Sequence, residues 1–256
     1  MLYDIGLQGQ KFILVFFRVL AILWLLPLFS SRAISVGYKA GLGLLISFLV
    51  LEYASMGGSP LDNPYHLMLL VIREVFIGVT IGFFVRVLFM TVYVAGEVAA
   101  LQAGFGFARF MDPYTNTQVS EVSQILNLLA LMVFFAVDAH HMVIRGLILS
   151  FKEIPLGNAG LKGPLFEYLI QMTGKVFSLG LQIGAPIIIT LFLVEISLGM
   201  LSRMVPQINV FVEGMPLKIM ITIAMLSFTL SLLVPLIGSL FKGMDNEIPK
   251  IIKLMV

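Results

Sequence analysis

Residues 67–100 read LMLLVIREVFIGVTIGFFVRVLFMTVYVAGEVAA, an almost unbroken apolar run. A helix needs roughly 20 apolar residues to cross a bilayer whose hydrocarbon core is ~30 Å thick. At about 1.5 Å per residue this run would reach about 50 Å, and residues 165–200 form a second long run. Both runs therefore predict transmembrane helices that are either broken or project far outside the bilayer.

The composition of the whole chain is that of an integral membrane protein. Its 256 residues are 59% hydrophobic and 12% charged, whereas soluble domains are about 45–50% apolar and about 25% charged. Further apolar segments lie at about 12–29, 36–54, 124–150 and 215–240. The sequence predicts an all-α integral membrane protein of long helical hairpins, kinked or broken at Pro27, Pro186 and Pro235.

Small residues recur four positions apart within the apolar segments, a spacing that lets helix backbones approach closely in lipid. The pairs are Gly37/Gly41, Gly78/Gly82, Gly180/Gly184 and Ser227/Ser231. Such pairs serve either packing within this chain or contact with another one.

Several functional classes are excluded by composition and motifs. The chain has no cysteine, so disulfides, thiolate catalysis and cysteine-ligated metals are excluded. A net charge of +2 with scattered basic residues gives no indication of nucleic-acid binding. Gly104-x-Gly106 lacks the strand, third glycine and Lys-Ser/Thr of a nucleotide-binding loop. We therefore expect neither an enzyme nor a cofactor.

Charged residues interrupt the apolar segments at many positions. A charge that faces lipid at mid-bilayer costs about 2.5–3.5 kcal/mol on insertion scales, so such groups must pair, face water or be buried against other subunits. Adjacent charges at 73 and 74 point to different helix faces and need separate partners. The residues that we expect to be buried between helices are Arg73, Glu74, Arg86, Glu97, Asp138 and Glu195.

Asp138-x-His140-His141 has the residue types of a metal or proton site. The two histidines are neighbours, however, and are expected to diverge on a helix. Asp138 and His141 would then supply one carboxylate and one imidazole, which is too few ligands for a metal. We therefore expect a polar cluster at a helix end and no metal.

Two polar gaps separate the apolar segments. Residues 102–122 read QAGFGFARFMDPYTNTQVSEV and form either an external loop or irregular backbone inside an assembly. Residues 199–219 read GMLSRMVPQINVFVEGMPLKI, in which Pro206 ends one helix and Gly214-Met215-Pro216 begins the next. Gln207 and Asn209 can satisfy backbone groups at the two helix ends, although composition alone also permits a solvated loop.

The second gap, with Ala185-Pro186 in the helix before it, resembles the FliR family of flagellar export-gate proteins, and virulence type III secretion counterparts share the pattern. Three further stretches are similar to the family's first hairpin, its second hairpin and the segment before its central loop. They are PLFSSRAISVGYKAGLGLLIS (27–47), REVFIGVTIGF (73–83) and AGEVAALQAGFGFARFMDP (95–113). The resemblance therefore covers nearly the whole chain through the order and spacing of its motifs.

The resemblance implies a single export-gate domain over residues 1–256. It implies that residues 1–160 are similar to FliP and that residues 165–256 form a FliQ-like hairpin. One copy would join FliP-like and FliQ-like subunits in a helical ring, with a FlhB-like subunit outside. The ring would pass unfolded exported proteins across the bacterial inner membrane in the flagellar basal body, with much of the protein on the periplasmic side.

The same resemblance implies two sites. The loop at about 104–122 would plug the channel, because methionine and phenylalanine give deformable, uncharged contacts. Its expected residues are Gly104, Phe105, Gly106, Phe107, Phe110, Met111, Asp112 and Pro113. The expected partner-contact residues of the hairpin turn are Pro206, Gln207, Asn209, Phe211, Gly214, Pro216 and Lys218.

Two alternatives to a flagellar gate subunit stay open at this point. One is the equivalent subunit of a virulence injectisome. The other is a secondary transporter that uses Glu97, Asp138 or Glu195 as a proton relay.

Overall fold

A computed structural model describes most of the chain. The residues described are 2–30, 34–55, 64–105, 120–158, 160, 163–205, 207 and 210–256. In these ranges all regular structure is helical and no strand is present, which confirms the all-α prediction. The α-helices are α1 (Leu2–Leu25), α2 (Pro27–Ser30), α3 (Val36–Val50), α4 (Pro64–Ala103), α5 (Glu121–Ala136), α6 (Ala139–Glu153), α7 (Gly163–Met204), α8 (Val210–Lys242) and α9 (Met244–Met255).

The two overlong apolar runs are both continuous helices. Helix α4 has 40 residues and α7 has 42 residues. At about 1.5 Å per residue each is about 60 Å long, roughly twice the hydrocarbon core. The sequence left open whether these runs form broken helices or helices that project outside the bilayer. The structure shows unbroken helices that are longer than the bilayer core.

Five helical stretches in the described residues are long and apolar enough to cross a membrane, and a sixth span is possible if α5 and α6 form one broken span. This agrees with the six apolar segments of the sequence. The segment at 124–150 is nevertheless two helices, because Asp138 adopts a left-handed backbone (φ 57°) between α5 and α6. The division of this apolar segment was not predicted, although the expected polar cluster at a helix end, Asp138-x-His140-His141, lies at this break.

The three prolines behave differently from one another. The chain bends at Leu26, and Pro27 then opens the short helix α2, as expected for a proline at a first helical position. Pro186 and Pro235 lie inside α7 and α8, which continue through them. Each of these two removes one backbone hydrogen bond without ending its helix.

The chain divides into two compact units. The first contains residues 1–87, 138–172 and 242–256, and the second contains residues 88–137 and 173–241. The FliP-like part (1–160) and the FliQ-like part (165–256) were expected from resemblance to those proteins and not from compactness. That division therefore stays a prediction.

In the first unit α1 packs closely on α4. A Cβ atom on Gly78 would lie 2.7 Å from the Cβ of Ala21, and one on Gly82 would lie 2.8 Å from the Cβ of Leu25. Helix α6 packs on α9, where a Cβ on Gly146 would meet Ile248 at 2.6 Å. Glycines therefore set the close approach of helices in this unit.

In the second unit α7 packs on α4 in the same way. A Cβ on Gly180 would lie 3.0 Å from the carbonyl oxygen of Thr91, and one on Gly184 would lie 3.2 Å from that of Ala95. Three phenylalanine rings from α4, α5 and α8 also meet, with centroids 4.9–5.3 Å apart: Phe89, Phe134 and Phe241. Two of the predicted glycine pairs thus serve packing within this chain.

Candidate functional site

The loop that follows α4 begins with a glycine cap. Helix α4 ends at Ala103, and Gly104 adopts φ 92°, the left-handed conformation that commonly ends helices. Its N–H donates to the carbonyl oxygen of Leu101 at 3.2 Å. Phe105, the next residue, is half-buried. The chain thus leaves the helix by a sharp, glycine-dependent turn.

The other predicted plug residues lie outside the described residues: Gly106, Phe107, Phe110, Met111, Asp112 and Pro113. Their role in closing a channel therefore stays a prediction.

At the far end of this segment, Ser120 caps α5. Its hydroxyl oxygen accepts a hydrogen bond from the N–H of Ser123 at 3.1 Å, and both serines are completely buried. A serine at this position satisfies one of the free N–H groups at a helix start. The Ser-x-x-Ser spacing before an apolar run is the signal from which this cap could have been predicted.

Glu97 of α4 holds this cap from the opposite side. Its Oε1 accepts hydrogen bonds from the N–H of Ser120 at 3.1 Å, from the hydroxyl of Ser120 at 3.1 Å and from the hydroxyl of Ser123 at 2.8 Å. A carboxylate at a helix N-terminus is also favoured by the helix dipole. The half-buried Glu97 therefore ties α4 to the first turn of α5, at the base of the loop.

Gly96 brings the two helices close enough for these bonds. A Cβ atom there would lie 2.5 Å from the Cα of Ser123 and 2.9 Å from its hydroxyl oxygen. Any larger residue at 96 would push α5 away from Glu97. Glu97 was expected to be buried between helices, whereas its partners Ser120 and Ser123 were not predicted.

The hairpin turn between α7 and α8 is only partly described. Pro206 and Asn209 lie outside the described residues, Gln207 is exposed, and Phe211 belongs to α8 by its backbone. Helix α8 begins at Val210, so the expectation that it begins at Gly214-Met215-Pro216 was wrong. Pro216 therefore lies inside α8, which continues through it at the cost of one backbone hydrogen bond.

Two of the predicted turn residues make contacts within the hairpin itself. Gly214 is buried, and a Cβ there would lie 2.9 Å from Leu198 of α7. The amino group of Lys218 lies 3.2 Å from the carboxylate of Glu195 on α7. The ion pair joins a residue that we expected to contact a partner with one that we expected to be buried between helices.

The adjacent charges Arg73 and Glu74 both hold the turn at Gly157. Arg73 donates to the carbonyl oxygen of Gly157 at 2.7 Å, and Glu74 Oε1 accepts from its N–H at 2.8 Å. Glu74 Oε2 also accepts from the Nε of Arg18, and both side chains are completely buried. Arg73 and Glu74 therefore share Gly157 as a partner, contrary to the expectation of separate partners, and Arg18 is a further partner of Glu74 alone.

The other charged residues that we expected to be buried between helices are exposed in the single chain. Arg86, Asp138 and Glu195 are exposed, as is Arg73 despite its hydrogen bond. Their burial against other subunits therefore stays a prediction.

His140 and His141 do not diverge as expected. Their ring centroids are 4.1 Å apart, and ligand atoms of Asp138, His140 and His141 lie within 4.8 Å of one another. Both histidines lie in the first turn of α6, directly after the left-handed Asp138. Side chains of Asp138 and His141 are 71% and 59% exposed, and a helix N-terminus disfavours cations, so the arrangement gives a metal little support.

The sequence is similar to known bacterial proteins over most of its length. The sequence profile of the family described as "Bacterial export proteins, family 1" matches residues 10–244. The chain is 35% identical over 239 residues to the flagellar biosynthetic protein FliR of Pectobacterium carotovorum subsp. carotovorum, covering 93% of this chain and 90% of that protein. It is 32% identical over 234 residues to FliR of Bacillus subtilis (strain 168), covering 90% of each chain. It is also 31% identical to FliR of Escherichia coli (strain K12) over 235 residues, 92% of this chain and 90% of that protein.

Proposed function

Because this chain belongs to family 1 of the bacterial export proteins, the FliR family, we propose that it is a structural subunit of the flagellar type III protein export gate. In this proposal it lies in the bacterial inner membrane with FliP-like, FliQ-like and FlhB-like subunits. It helps to form the channel for unfolded flagellar proteins, and the loop at about 104–122 helps to close that channel. The relatives reported above carry flagellar names, which favours the flagellar machine over a virulence injectisome.

The incomplete burial of the α7–α8 hairpin is the observation that carries the proposal. In the apolar 18-residue windows of Gly163–Met204 and Glu213–Met255, 28% and 22% of the residues are buried, as against 67% in α4 and 17% in the span at Val36–Tyr53. The exposed residues include large apolar side chains, such as Phe177, Phe192 and Phe228. A surface of this size needs either lipid or other subunits to cover it.

Charged residues on the same hairpin favour other subunits over lipid. Glu167, Lys175 and Arg203 of α7 are exposed, and so is Glu213 of α8. A charge facing lipid near mid-bilayer costs about 2.5–3.5 kcal/mol. Glu167, Arg203 and Glu213 lie within about one turn of a helix end, whereas Lys175 lies twelve residues inside α7 and depends most on a protein partner. Helices of about 60 Å also extend beyond a single bilayer core, where protein or water must surround them.

Copurification tests whether this chain assembles with the FliP-like and FliQ-like proteins. Coexpression with the FliP-like and FliQ-like proteins of the same bacterium should give a hetero-oligomer that survives detergent extraction and contains this chain. The matched control is coexpression with an unrelated six-span membrane protein, which should not copurify. Recovery of this chain alone in both cases would contradict the proposal, as would solute uptake by the purified chain alone, which the rival transporter function requires.

A further inference from the structure

We infer that a polar cavity in the first unit binds the headgroup of an ethanolamine phospholipid, with the phosphate on Arg73 and the ammonium on Glu153. The cavity has a volume of about 410 Å³, which lies within the range of about 300–1,000 Å³ for small-molecule sites. Its lining residues are Arg73, Glu153, Ile154, Pro155, Asn158 and Val256. This lipid site is independent of the proposed export gate.

The wall of the cavity that follows α6 is held in place by buried charges. Glu74 accepts a hydrogen bond from the N–H of Gly157 at 2.8 Å, and Arg18 donates to the carbonyl oxygen of Ile154 at 3.3 Å. Glu74 and Arg18 are themselves paired and completely buried. A site whose groups are already ordered loses less free energy when its ligand binds. The wall is therefore formed before a ligand arrives.

Two charged side chains at the cavity keep unused hydrogen-bonding capacity. Arg73 has five N–H donors and uses one on the carbonyl oxygen of Gly157, at 2.7 Å. Within the described part of the chain, its other donors and the carboxylate of Glu153 make no hydrogen bond or ion pair. Both residues are exposed. The cavity thus offers a guanidinium and a carboxylate to the same ligand.

These two charges favour a zwitterionic phospholipid. A guanidinium binds phosphate through parallel N–H donors. Glu153 repels a headgroup with net negative charge, such as phosphatidylglycerol, and attracts an ammonium group beside the phosphate. An ethanolamine headgroup carries that ammonium, which has three N–H donors for the carboxylate. A choline headgroup has the same charge and no N–H to donate.

The position of Arg73 along α4 suits a lipid headgroup. Helix α4 is about 60 Å long, so it extends about 15 Å beyond each side of a ~30 Å hydrocarbon core when it is centred on the bilayer. Arg73 is the tenth residue of α4, about 14 Å from its start. The guanidinium therefore lies at the level of the phosphates.

An apolar surface for the acyl chains follows on the side toward the bilayer core. Phe76 lies three residues after Arg73 and so shares its side of α4. Its ring centroid is 6.2 Å from that of Phe166 on α7. Phe166 is exposed, as is Val79 about one turn further along α4. A phospholipid whose headgroup fills the cavity can therefore lay its chains on these side chains.

The test measures lipid binding to the full chain purified in detergent. Native mass spectrometry counts bound lipids while phosphatidylethanolamine, phosphatidylglycerol or phosphatidylcholine, all with the same acyl chains, is titrated. We expect the first phosphatidylethanolamine to bind at least about tenfold more tightly than either of the other lipids. Equal affinities for the three lipids would overturn the inference.

Two variants each remove one of the proposed contacts. Arg73→Gln should weaken phosphatidylethanolamine binding at least about tenfold. Glu153→Gln should weaken it at least about fivefold and should strengthen binding of phosphatidylglycerol, because the repelling carboxylate is gone. Glu153 has no partner among the described residues, so its variant should keep the thermal stability of the parent even if Arg73→Gln misfolds. An unchanged lipid preference in Glu153→Gln would show that the site is assigned wrongly.

Matched variants outside the cavity control for overall charge. Arg145→Gln and Glu167→Gln neutralise exposed residues of the first unit that do not line the cavity. Both should keep every lipid affinity within about twofold of the parent. Loss of the preference in these controls would mean that net charge sets it, and the cavity would no longer be its cause.

A soluble headgroup separates a lipid site from a site for a free solute. Glycerophosphoethanolamine has the same charges without acyl chains, so it should displace phosphatidylethanolamine only at more than about a hundredfold excess. Displacement at equal concentrations would contradict a lipid ligand. None of these measurements uses a partner subunit, so failure of the proposed gate would leave their outcome unchanged.

Discussion

At the scale of single residues, a buried arginine organises the first unit. Arg18 is completely buried, and its guanidinium donates to Glu74, to the carbonyl oxygen of Ser150 at 2.9 Å and to that of Ile154 at 3.3 Å. It also lies 4.2 Å from the ring centroid of Phe151. These contacts tie α1 to α4 and to the end of α6. A buried charge with so many partners depends on all of them being present.

Removing Glu74 tests this dependence. Glu74→Ala leaves the guanidinium buried without its counter-ion, which we expect to lower the free energy of unfolding by about 3–5 kcal/mol. Thermal unfolding of the detergent-purified chain measures the effect. Glu167→Ala, which removes an exposed carboxylate, should change stability by less than about 0.5 kcal/mol.

The double variant Arg18→Met/Glu74→Leu separates charge pairing from packing. Replacing both partners with apolar residues removes the uncompensated charge, so the double variant should be more stable than Glu74→Ala. A double variant less stable than either single variant would show that the pair matters chiefly through its hydrogen bonds to Ser150, Ile154 and Gly157.

At the scale of helices, two of the glycine pairs mark places where backbones touch, and Gly37 of another pair provides a control. Gly78→Ala places a Cβ 2.7 Å from Ala21, and we expect it to cost about 1–3 kcal/mol through overpacking. Gly37 has no described atom within 4 Å of such a Cβ. Gly37→Ala should therefore be neutral or stabilise by up to about 1 kcal/mol through helix propensity. Equal effects in thermal unfolding would contradict the assigned packing.

The α7–α8 hairpin turn gives a second prediction at this scale. Gln207→Ala with Asn209→Ala should weaken assembly, because the turn loses polar groups available to a partner while its own helices stay joined by Lys218 and Glu195. Recovery of FliQ-like or FlhB-like subunits in a detergent pull-down should fall at least threefold. Gln171→Ala, an exposed glutamine of α7 far from the turn, is the control and should leave recovery unchanged. Full recovery of both subunits with the double variant would show that the turn is not a contact.

Helix existence and length could be predicted from the sequence, whereas breaks and contacts largely could not. The apolar runs at 67–100 and 165–200 indicate α4 and α7 because hydrophobicity along the chain is a local property. The break at Asp138 escaped prediction because neither proline nor glycine stands there. The early start of α8 escaped it because Pro216 looked like a helix start.

Residue partners were harder to predict for a different physical reason. Glu97 meets Ser120 and Ser123, and Glu195 meets Lys218, only because particular helices pack in a particular register. Helices α4 and α7 are apolar on nearly every face, so periodicity does not show which face meets which neighbour. The sequence therefore indicated which residues needed partners and left the partners unassigned.

At the scale of the whole molecule, this chain has the properties of one part of a larger assembly. The span in α4 is largely buried, whereas most apolar residues and several charged residues of the α7–α8 hairpin are exposed. In the proposed gate, neighbouring subunits cover that hairpin. The proposal assigns closure of the channel to the segment between α4 and α5.

The most direct measurement of closure is ion leakage through the assembled complex. Residues 106–117 are deleted and joined by a short Gly-Ser linker, and the complex with FliP-like and FliQ-like subunits is reconstituted in planar bilayers after its composition is verified. The parent complex should stay electrically tight, and the deletion should raise the resting conductance at least tenfold, because it removes the Phe and Met side chains that are proposed to seal the channel. A fully assembled deletion complex that is as tight as the parent would contradict the account.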